Sequence, residues 1–315
     1  MRTAFATTLA RLAAADERIW LLTGDLGYSV LEPFARDFPA RYLNVGVAEQ
    51  NLAGIAAGLA SCGKIVFTYS IANFPTIRCL EQIRNDICHQ ELPVRIVSVG
   101  GGYAYGPQGY THHGLEDLAI MRALPGMTVV APGDPVETEL ATCAIMDLPG
   151  PCYLRLGKAR EPVVHATPPD FRIGRAIRLR DGCDATLINT GGMLPVVIDT
   201  AEQLANKHSM ACRVLSMHTL KPLDADAVLA AARETAALVT VEEHSVIGGL
   251  GAAVAEVLAE SGVPHGPFRR YGVADHVEHA IGSQAYLRER CGSLAECVRA
   301  ACQDSPGCGG SAGAR

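Results

Sequence analysis

Short apolar runs alternate along the chain with stretches in which apolar residues recur every three or four positions. In the first half, the runs predict buried strands at 19–22, 42–45, 64–69, 93–99, 128–130 and 152–156. The recurring stretches predict helices at 3–15, 32–37, 49–60, 73–87, 115–123 and 135–146. Asn73 and Pro75 supply an N-cap and a first-turn proline for the fourth helix. Such alternation is typical of a mostly parallel sheet flanked by helices.

The alternation lapses in a proline-rich stretch without periodicity, and we place an interdomain linker at 161–178. It restarts with predicted strands at 185–189, 212–215 and 237–242 and helices at 194–207, 224–232 and 249–261. The 315-residue chain is therefore predicted to be an α/β protein of two domains, 1–160 and 179–304, each a mostly parallel sheet flanked by helices. The glycine-rich end, 305–315, is expected to be disordered.

One predicted strand–turn–helix unit places a carboxyl group in an apolar setting. In the sequence YLNVGVAEQNLAGIAAGL, residues 42–59, Gly46 permits a sharp turn and Glu49 falls in the first turn of the helix. Glu49 alone could simply complement the helix dipole, which is worth about 0.3 to 1 kcal/mol. The same helix carries Gly54 and Gly58, and a glycine costs about 1 kcal/mol in a helix interior. We therefore expect a close helix contact, including one between subunits, with Glu49 at its edge.

The connection from Gly100 to His113 is long, and long loops are usually functional or disordered. It holds three tyrosines and the pair His112 and His113, a composition that favours a functional loop. Adjacent histidines point in different directions, and no HxxxH or HxH spacing is present, so we expect no metal held by this chain alone. Arg155, in the predicted strand, suits forked recognition of phosphate or carboxylate, with a surface salt bridge as an equal alternative.

The composition favours a metabolite-handling protein of the cytoplasm. The formal net charge is −6 and no run of Lys or Arg occurs, which argues against nucleic acid or an acidic membrane surface as a partner. No stretch approaches the roughly 18 uninterrupted apolar residues of a membrane span. The 11 cysteines are scattered singly without a CxxC pair, which is typical of reduced thiols rather than zinc sites or secreted disulfide frameworks.

Several motifs in fixed order resemble the transketolase family over about residues 3 to 300. The first half resembles its pyrimidine-binding domain in VGVAEQNLAGIAAGLA, VFTYSIANFPTIRCLEQIRNDI, GPQGYTHHGLEDLAIMRALPGMTVVAPGDPVE and CYLRLGK. The second half resembles its C-terminal domain in LKPLDADAV, VTVEEHSVIGGLGAAVAEVL and GSQAYLRERCG. The family's diphosphate-binding domain carries a GDG motif, and no GDG occurs here. The resemblance therefore implies the C-terminal subunit of a split transketolase, inactive without an N-terminal partner subunit that carries GDG.

The resemblance implies thiamine diphosphate as cofactor, with its diphosphate and a Mg²⁺ ion held mainly by the partner. In the family, the glutamate that matches Glu49 hydrogen-bonds the aminopyrimidine N1′ of the cofactor. The resemblance implies that Tyr69, Phe67 and Asp25 also contact the cofactor. The positions implied to bind a sugar or sugar phosphate are Ser29, Gln108, His112, His113 and Arg155, of which His112 is also catalytic. Typical members have a histidine where this chain has glycines at 100–102, and an aspartate where it has Gln108. These differences disfavour ordinary pentose phosphates as substrates.

The function predicted from this resemblance is transfer of a two-carbon ketol unit from a ketose to an aldose. The alternatives are the β subunit of a 2-oxo acid dehydrogenase, a fragment of a deoxyxylulose phosphate synthase, and a noncatalytic subunit that keeps the fold. The THHGLED loop and Arg155 favour transketolase. Because the family binds its cofactor between subunits, we expect at least two copies of each subunit, with self-association of this chain through the helix at 49–60.

Overall fold

The computed structural model describes residues 1–304, and the tail predicted at 305–315 lies outside the described residues. The first half contains the elements α1 (Arg2–Ala15), β1 (Ile19–Thr23), α2 (Glu32–Asp37), β2 (Tyr42–Asn44), α3 (Glu49–Ser61), β3 (Ile65–Ile71), α4 (Leu80–Gln82), β4 (Val94–Val99), α5 (Asp117–Ala123), β5 (Thr128–Val130), α6 (Pro135–Ala144) and β6 (Cys152–Leu156). A π-helical segment, Ile83–Cys88, continues α4. The predicted alternation of strands and helices is confirmed.

The second half follows the same alternation. Its elements are β7 (Ile177–Arg180), β8 (Ala185–Asn189), α7 (Leu194–His208), β9 (Cys212–Ser216), β10 (Thr219–Lys221), α8 (Ala225–Glu234), β11 (Leu238–Ser245), α9 (Leu250–Ser261), β12 (Phe268–Val273), α10 (Gln284–Glu289) and α11 (Leu294–Gln303). Residues 157–176 contain no helix or strand, and β7 begins inside the linker predicted at 161–178.

The strands form one sheet of seven and one of five, as the predicted two-sheet architecture requires. The order in the first sheet is β10-β5-β6-β4-β3-β1-β2, and in the second β12-β11-β8-β9-β7. All neighbours are parallel except β10 on β5 and β7 on β9. The strand β10 lies between β9 and β11 of the second sheet along the chain but completes the edge of the first sheet, so the two halves are joined by a strand as well as by side chains.

The two faces of the first sheet pack against different helices. On one face, Leu52 and Ala56 of α3 pack with Val66 of β3 in a large cluster that continues into the second half. On the other, Phe5 of α1 packs with Phe67 of β3. Because successive residues of a strand point to opposite faces, this packing fixes which side chains of β3 can approach the start of α3. Within residues 1–304, no helix is both long and apolar enough to span a membrane.

Two predicted elements differ from the structure. The helix predicted at 73–87 begins only at Leu80. Residues 73–79 form turns, in which the Ile77 amide donates to the Asn73 carbonyl and the Thr76 hydroxyl donates to the Ala72 carbonyl. The strand predicted to be buried at 42–45 is the outermost strand of its sheet, and Leu43 is 37% exposed. A strand with one neighbour has one side open to solvent, which the apolar run could not reveal.

Candidate functional site

Glu49 is the first residue of α3 and its side chain is only 1% exposed. The turn that delivers it needs Gly46, whose φ of 73° lies in the left-handed region. Glu49 lies against Leu52, Thr68 and Cys79 around a small cavity. Burial raises the pKa of the Cys79 thiol to about 12, so no thiolate forms beside the carboxylate at neutral pH. A buried carboxylate is thus held at the carboxyl edge of the first sheet.

Arg78 is the ion-pair partner of Glu49 and connects it to an open groove. Its Nη1 donates to Glu49 Oε2 at 2.8 Å, while its side chain is 48% exposed. The guanidinium also lies over the Phe74 ring, 4.7 Å from the centroid. Arg78 therefore covers the buried carboxylate, while its own side chain remains half exposed to solvent.

The Phe74 groove, as we name it, has a volume of about 600 Å³ and is lined by Asn73, Phe74, Ile77, Arg78, Tyr110, Thr111, Glu116 and Ile120. Burial raises the pKa of the half-buried Glu116 carboxyl. The edge of His112 meets the Phe74 ring at a centroid distance of 5.3 Å. The groove thus combines an aromatic face, a carboxyl group and an imidazole close to the Arg78 that covers Glu49.

The loop from Gly100 to His113 is closed at its base by two hydrogen bonds between Gly102 and Gly114. His112 is half-buried and its Nδ1 lies 2.9 Å from the Thr111 hydroxyl. His113 is 1% exposed and meets Tyr103 edge-on at 5.0 Å. Burial lowers the pKa of the His113 imidazole, and the nearby Gly106 backbone opposes this shift only in part. The paired histidines therefore separate: His112 faces the groove and His113 is enclosed behind it.

Asp25 and Ser29 lie in the loop after β1. Asp25 has φ 59°, and its carboxylate accepts hydrogen bonds from Tyr28 and Asn44. The same loop approaches α3, because a Cβ built on Gly24 would lie 3.8 Å from Glu49 Cγ. Asp25 is therefore brought to the sheet edge that holds Glu49.

Ser29 has φ 62° and its amide donates to Glu32. Gln108 is exposed in the loop that carries His112. Both side chains are open to a bound molecule, and their predicted contact with substrate stays a prediction.

Tyr69 and Phe67 do not lie with Glu49. Both point to the α1 face of the sheet, where Phe5 packs 6.0 Å from each ring centroid. Thr68, between them, is the residue of β3 that reaches Glu49. Tyr69 is 2% exposed and burial raises its pKa, so its ring is a core side chain in this structure. The aromatic that lies beside Arg78 is Phe74, which was predicted as part of a helix start.

Arg155 does not reach the Phe74 groove. It is 5% exposed, and it bonds Asp117 through Nε at 2.8 Å and the carbonyls of Gly114 and Glu243 through Nη2. A cation beside the loop is instead the half-buried Lys158, whose Nζ lies 4.3 Å from the Tyr105 ring centroid. Its sequence signal was its place two residues after β6.

The described residues show no metal-ligand cluster: within 1–304, no group of three or more His, Cys, Asp or Glu side chains is placed to hold an ion. No disulfide joins the cysteines of this part of the chain, and about half of them are buried. The site thus consists of a buried carboxylate, its arginine cover, an aromatic face and an imidazole.

Comparisons with known proteins agree with this architecture. Residues 1–162 match the family model for the transketolase pyrimidine binding domain, and residues 174–289 match that for the transketolase C-terminal domain. An apulose-4-phosphate transketolase subunit of Phocaeicola vulgatus is 42% identical over 265 residues, which cover 84% of this chain and 85% of the relative. The 6-deoxy-6-sulfo-D-fructose transketolase subunit SqwH of a Clostridium species is 40% identical, covering 96% of this chain and 93% of the relative.

A solved structure described as a split gene transketolase, inactive beta4 tetramer, superimposes with a TM-score of 0.86 at 40% identity. The match covers 96% of this chain and 97% of that one. Both halves of the fold and the order of the two domains agree with the family models, and the chain belongs to the transketolase family.

Proposed function

We propose that this chain is the small subunit of a thiamine-diphosphate-dependent transketolase that moves a two-carbon ketol unit from a ketose to an aldose. The observation that carries the proposal is Glu49, a buried carboxylate at a sheet edge whose ion-pair partner Arg78 is half exposed and able to leave. Relatives that match nearly this whole chain are named as subunits of transketolases, which supports a transferase built from separate chains.

The residues present fit the ring-binding half of a thiamine diphosphate site. Glu49 offers a buried acceptor for one ring nitrogen, and Phe74 offers an aromatic face at the mouth of the same site. When bound, thiamine diphosphate supplies the nucleophilic carbon and the electron sink that ketol transfer requires. Glu49 then holds and returns a proton at the aminopyrimidine N1′, and Asp25 lies on the loop nearest to it.

We assign the proton transfers at substrate oxygens to His112. Its ring faces the Phe74 groove, and an imidazole exchanges protons near neutral pH. Ser29 and Gln108 are the exposed polar side chains proposed to contact substrate hydroxyls. His113 is enclosed, so contact with substrate would require the loop to open. For a substrate that ends in an anionic group, Lys158 is the cation best placed beside the loop.

The partner is proposed to hold the diphosphate and Mg²⁺, in a cytoplasmic assembly of at least two copies of each subunit. Helix α3 is the proposed contact between copies of this chain. The relatives' names favour transketolase over the β subunit of a 2-oxo acid dehydrogenase.

Reconstitution tests the proposal. The chain is mixed with a GDG-containing transketolase subunit from the same source, thiamine diphosphate and Mg²⁺, and turnover is followed with a panel of ketose donors. We expect turnover only in the mixture, and equilibrium dialysis should show that this chain alone does not retain thiamine diphosphate. Tight binding by the chain alone would contradict the half-site, and a mixture inactive with every donor would contradict ketol transfer.

A further inference from the structure

The loop that carries His112 belongs to the first domain, but it rests on the second domain. Its contacts there are made by three residues, which we name the loop-contact surface: Glu243 of β11, Gly282 before α10 and Leu287 within α10. None of the three lines the Phe74 groove, so an effect of this surface on His112 is exerted through the loop.

Glu243 holds the first residues of the loop. A Cβ built on Gly102 would lie 2.5 Å from Glu243 Cδ, so the carboxylate packs directly against the loop backbone. The Tyr103 amide donates to Glu243 Oε1 at 3.1 Å in a buried hydrogen bond. Within the second domain, Arg288 and Gln284 donate to the same carboxylate at 2.7 and 2.9 Å. The carboxylate is therefore fixed by its own domain and accepts from the other.

The middle of the loop lies in close contact with α10 and the residues before it. A Cβ built on Gly106 would overlap the Gly282 carbonyl oxygen and would lie 2.8 Å from Leu287 Cδ1. Leu287 is fully buried and packs with Tyr103 and Leu115 of the first domain in one apolar cluster. Buried side chains are closely packed, so a change of volume at this contact moves the loop.

The loop-contact surface is itself fixed within the second domain. The Ser283 hydroxyl caps α10 by accepting from the Tyr286 amide at 3.2 Å. The Glu278 carboxylate, 4% exposed, accepts from Arg290 at 2.7 Å and from the Ala280 amide at 2.8 Å. These bonds tie the segment before α10 to the residue that follows the helix. The second domain thus provides a rigid support for the loop.

A displacement of the loop at this surface is transmitted to His112, because the loop has a packed interior of its own. Tyr103 and the enclosed His113 meet edge-on inside it. The His113 amide donates to the Tyr110 carbonyl, and the His112 amide donates to the Gly109 carbonyl. His112 is therefore held between the interior of the loop and the Phe74 groove. Misplacement of a reacting group by about 1 Å can cost about 10²-fold in rate.

We propose that the second domain positions the His112 imidazole for reaction by holding its loop on Glu243, Gly282 and Leu287. These three are positioning residues, since none of them reaches the Phe74 groove. The inference rests on the proposed function of His112, but the attachment of the loop can be measured without any reaction. It gives the second domain a part in ketol transfer although that domain supplies no side chain to the groove.

Leu287→Ala and Leu204→Ala are a matched pair of variants. Both leucines are fully buried in helices of the second domain, but Leu204 belongs to an apolar cluster that contains no residue of the loop. Hydrogen exchange of the full chain is followed by mass spectrometry in peptides that span 103–113. Leu287→Ala should raise the exchange rate of these amides at least about tenfold over Leu204→Ala, because only Leu287→Ala removes a contact of the loop. Peptides that span 42–60 should exchange alike in both variants.

Gly106→Ala tests the same contact from the side of the loop and leaves the apolar clusters intact. Gly150→Ala is its control, because a Cβ there has its nearest neighbour at 3.8 Å and neither glycine has a left-handed φ. In the reconstituted enzyme, Gly106→Ala should lower kcat/KM for the ketose donor by about 10- to 100-fold. The thiamine diphosphate concentration that gives half-maximal turnover should be unchanged, which separates positioning of His112 from a loss of the folded site.

The proposal is overturned if peptides spanning 103–113 exchange alike in Leu287→Ala and Leu204→Ala. It is also overturned if Gly106→Ala turns over as Gly150→Ala does, or if it weakens cofactor affinity as much as it lowers kcat/KM. A wild-type mixture that is inactive with every donor contradicts ketol transfer instead, and the exchange rates still decide whether the second domain holds the loop.

Discussion

At the scale of single residues, the site depends on the different burial of Glu49 and its partner. Glu49 is 1% exposed and Arg78 is 48% exposed, so the carboxylate loses more of its hydration in the folded chain than the guanidinium does. A ring nitrogen that donated to Glu49 would replace the contact made by Arg78, and the Phe74 face would remain beside it. We therefore expect Phe74, rather than Tyr69, to contact the ring of the proposed cofactor.

Phe74→Leu and Tyr69→Phe distinguish the two aromatics in the reconstituted enzyme. Phe74→Leu should weaken thiamine diphosphate affinity by about fivefold, because a stacking contact is worth about 1 kcal/mol beyond its buried area. Tyr69→Phe keeps the packing on Phe5 and should leave the affinity unchanged. The affinity is obtained from turnover against cofactor concentration. A reversed order of effects would return the role to Tyr69.

His218 predicts how stability depends on pH. Its ring is stacked on Phe171 at a centroid distance of 3.9 Å, and burial lowers its pKa from 6.5 to about 4. The unfolded chain therefore takes up a proton that the folded chain resists. The stability that His218 contributes is fully present above pH 6.5 and is lost as the pH falls toward 4.

His218→Phe should therefore show a smaller fall of Tm than the wild type between these two pH values. The exposed His265 provides the control, since His265→Gln should reproduce the wild-type profile. Parallel profiles for His218→Phe and the wild type would show that His218 is not the group that titrates.

At the scale of elements, α3 has a face that nothing in residues 1–304 covers. A Cβ built on Gly54 or Gly58 meets no atom within 4 Å, and both residues are exposed. The close contact expected from these glycines is therefore absent within the described chain, while Ala53 and Ala56 pack inward. We therefore propose that the two glycines serve a contact with another chain.

The double variant Gly54→Ala, Gly58→Ala should change stability and association in opposite directions. The chain without its partner should gain about 1 to 2 kcal/mol in its free energy of unfolding, because alanine is the better helix former. Its self-association should weaken, since two methyl groups would stand in the contact. Denaturant unfolding and sedimentation velocity measure the two effects. Glu202→Ala on the exposed side of α7 is the control, and unchanged association of the double variant would exclude this face.

The same elements show what apolar patterning can predict. The strands Cys152–Leu156 and Ala185–Asn189 have the bounds that their apolar runs predict, because both are buried on all sides. The segment before Leu80 does not, because residues 73–79 form turns with isolated helix-type bonds, such as Ile77 N–H to the Asn73 carbonyl, rather than a continuous helix. Local hydrogen bonds of this kind depend on where the chain lies in space and leave no periodic signal.

At the scale of the whole molecule, the two-domain α/β architecture was predictable and the joining of its halves was not. Strand β10 has only three residues, so its place at the edge of the first sheet had no counterpart in the apolar pattern. Glu49, Asp25 and His112 each follow a strand of the first sheet, so they lie toward its carboxyl edge. Alternation along β3 turns Tyr69 to the α1 face, a placement that the resemblance alone does not give.

Turnover of the reconstituted enzyme with Glu49→Gln tests the central claim most directly. Glutamine keeps the volume of the buried side chain but cannot hold and return the proton, and loss of a general acid–base group costs about 10²- to 10⁴-fold in rate. We predict a fall in kcat of that size with the assembly intact by sedimentation. Wild-type turnover in an assembled Glu49→Gln enzyme would contradict the role of this carboxylate and the half-site built around it.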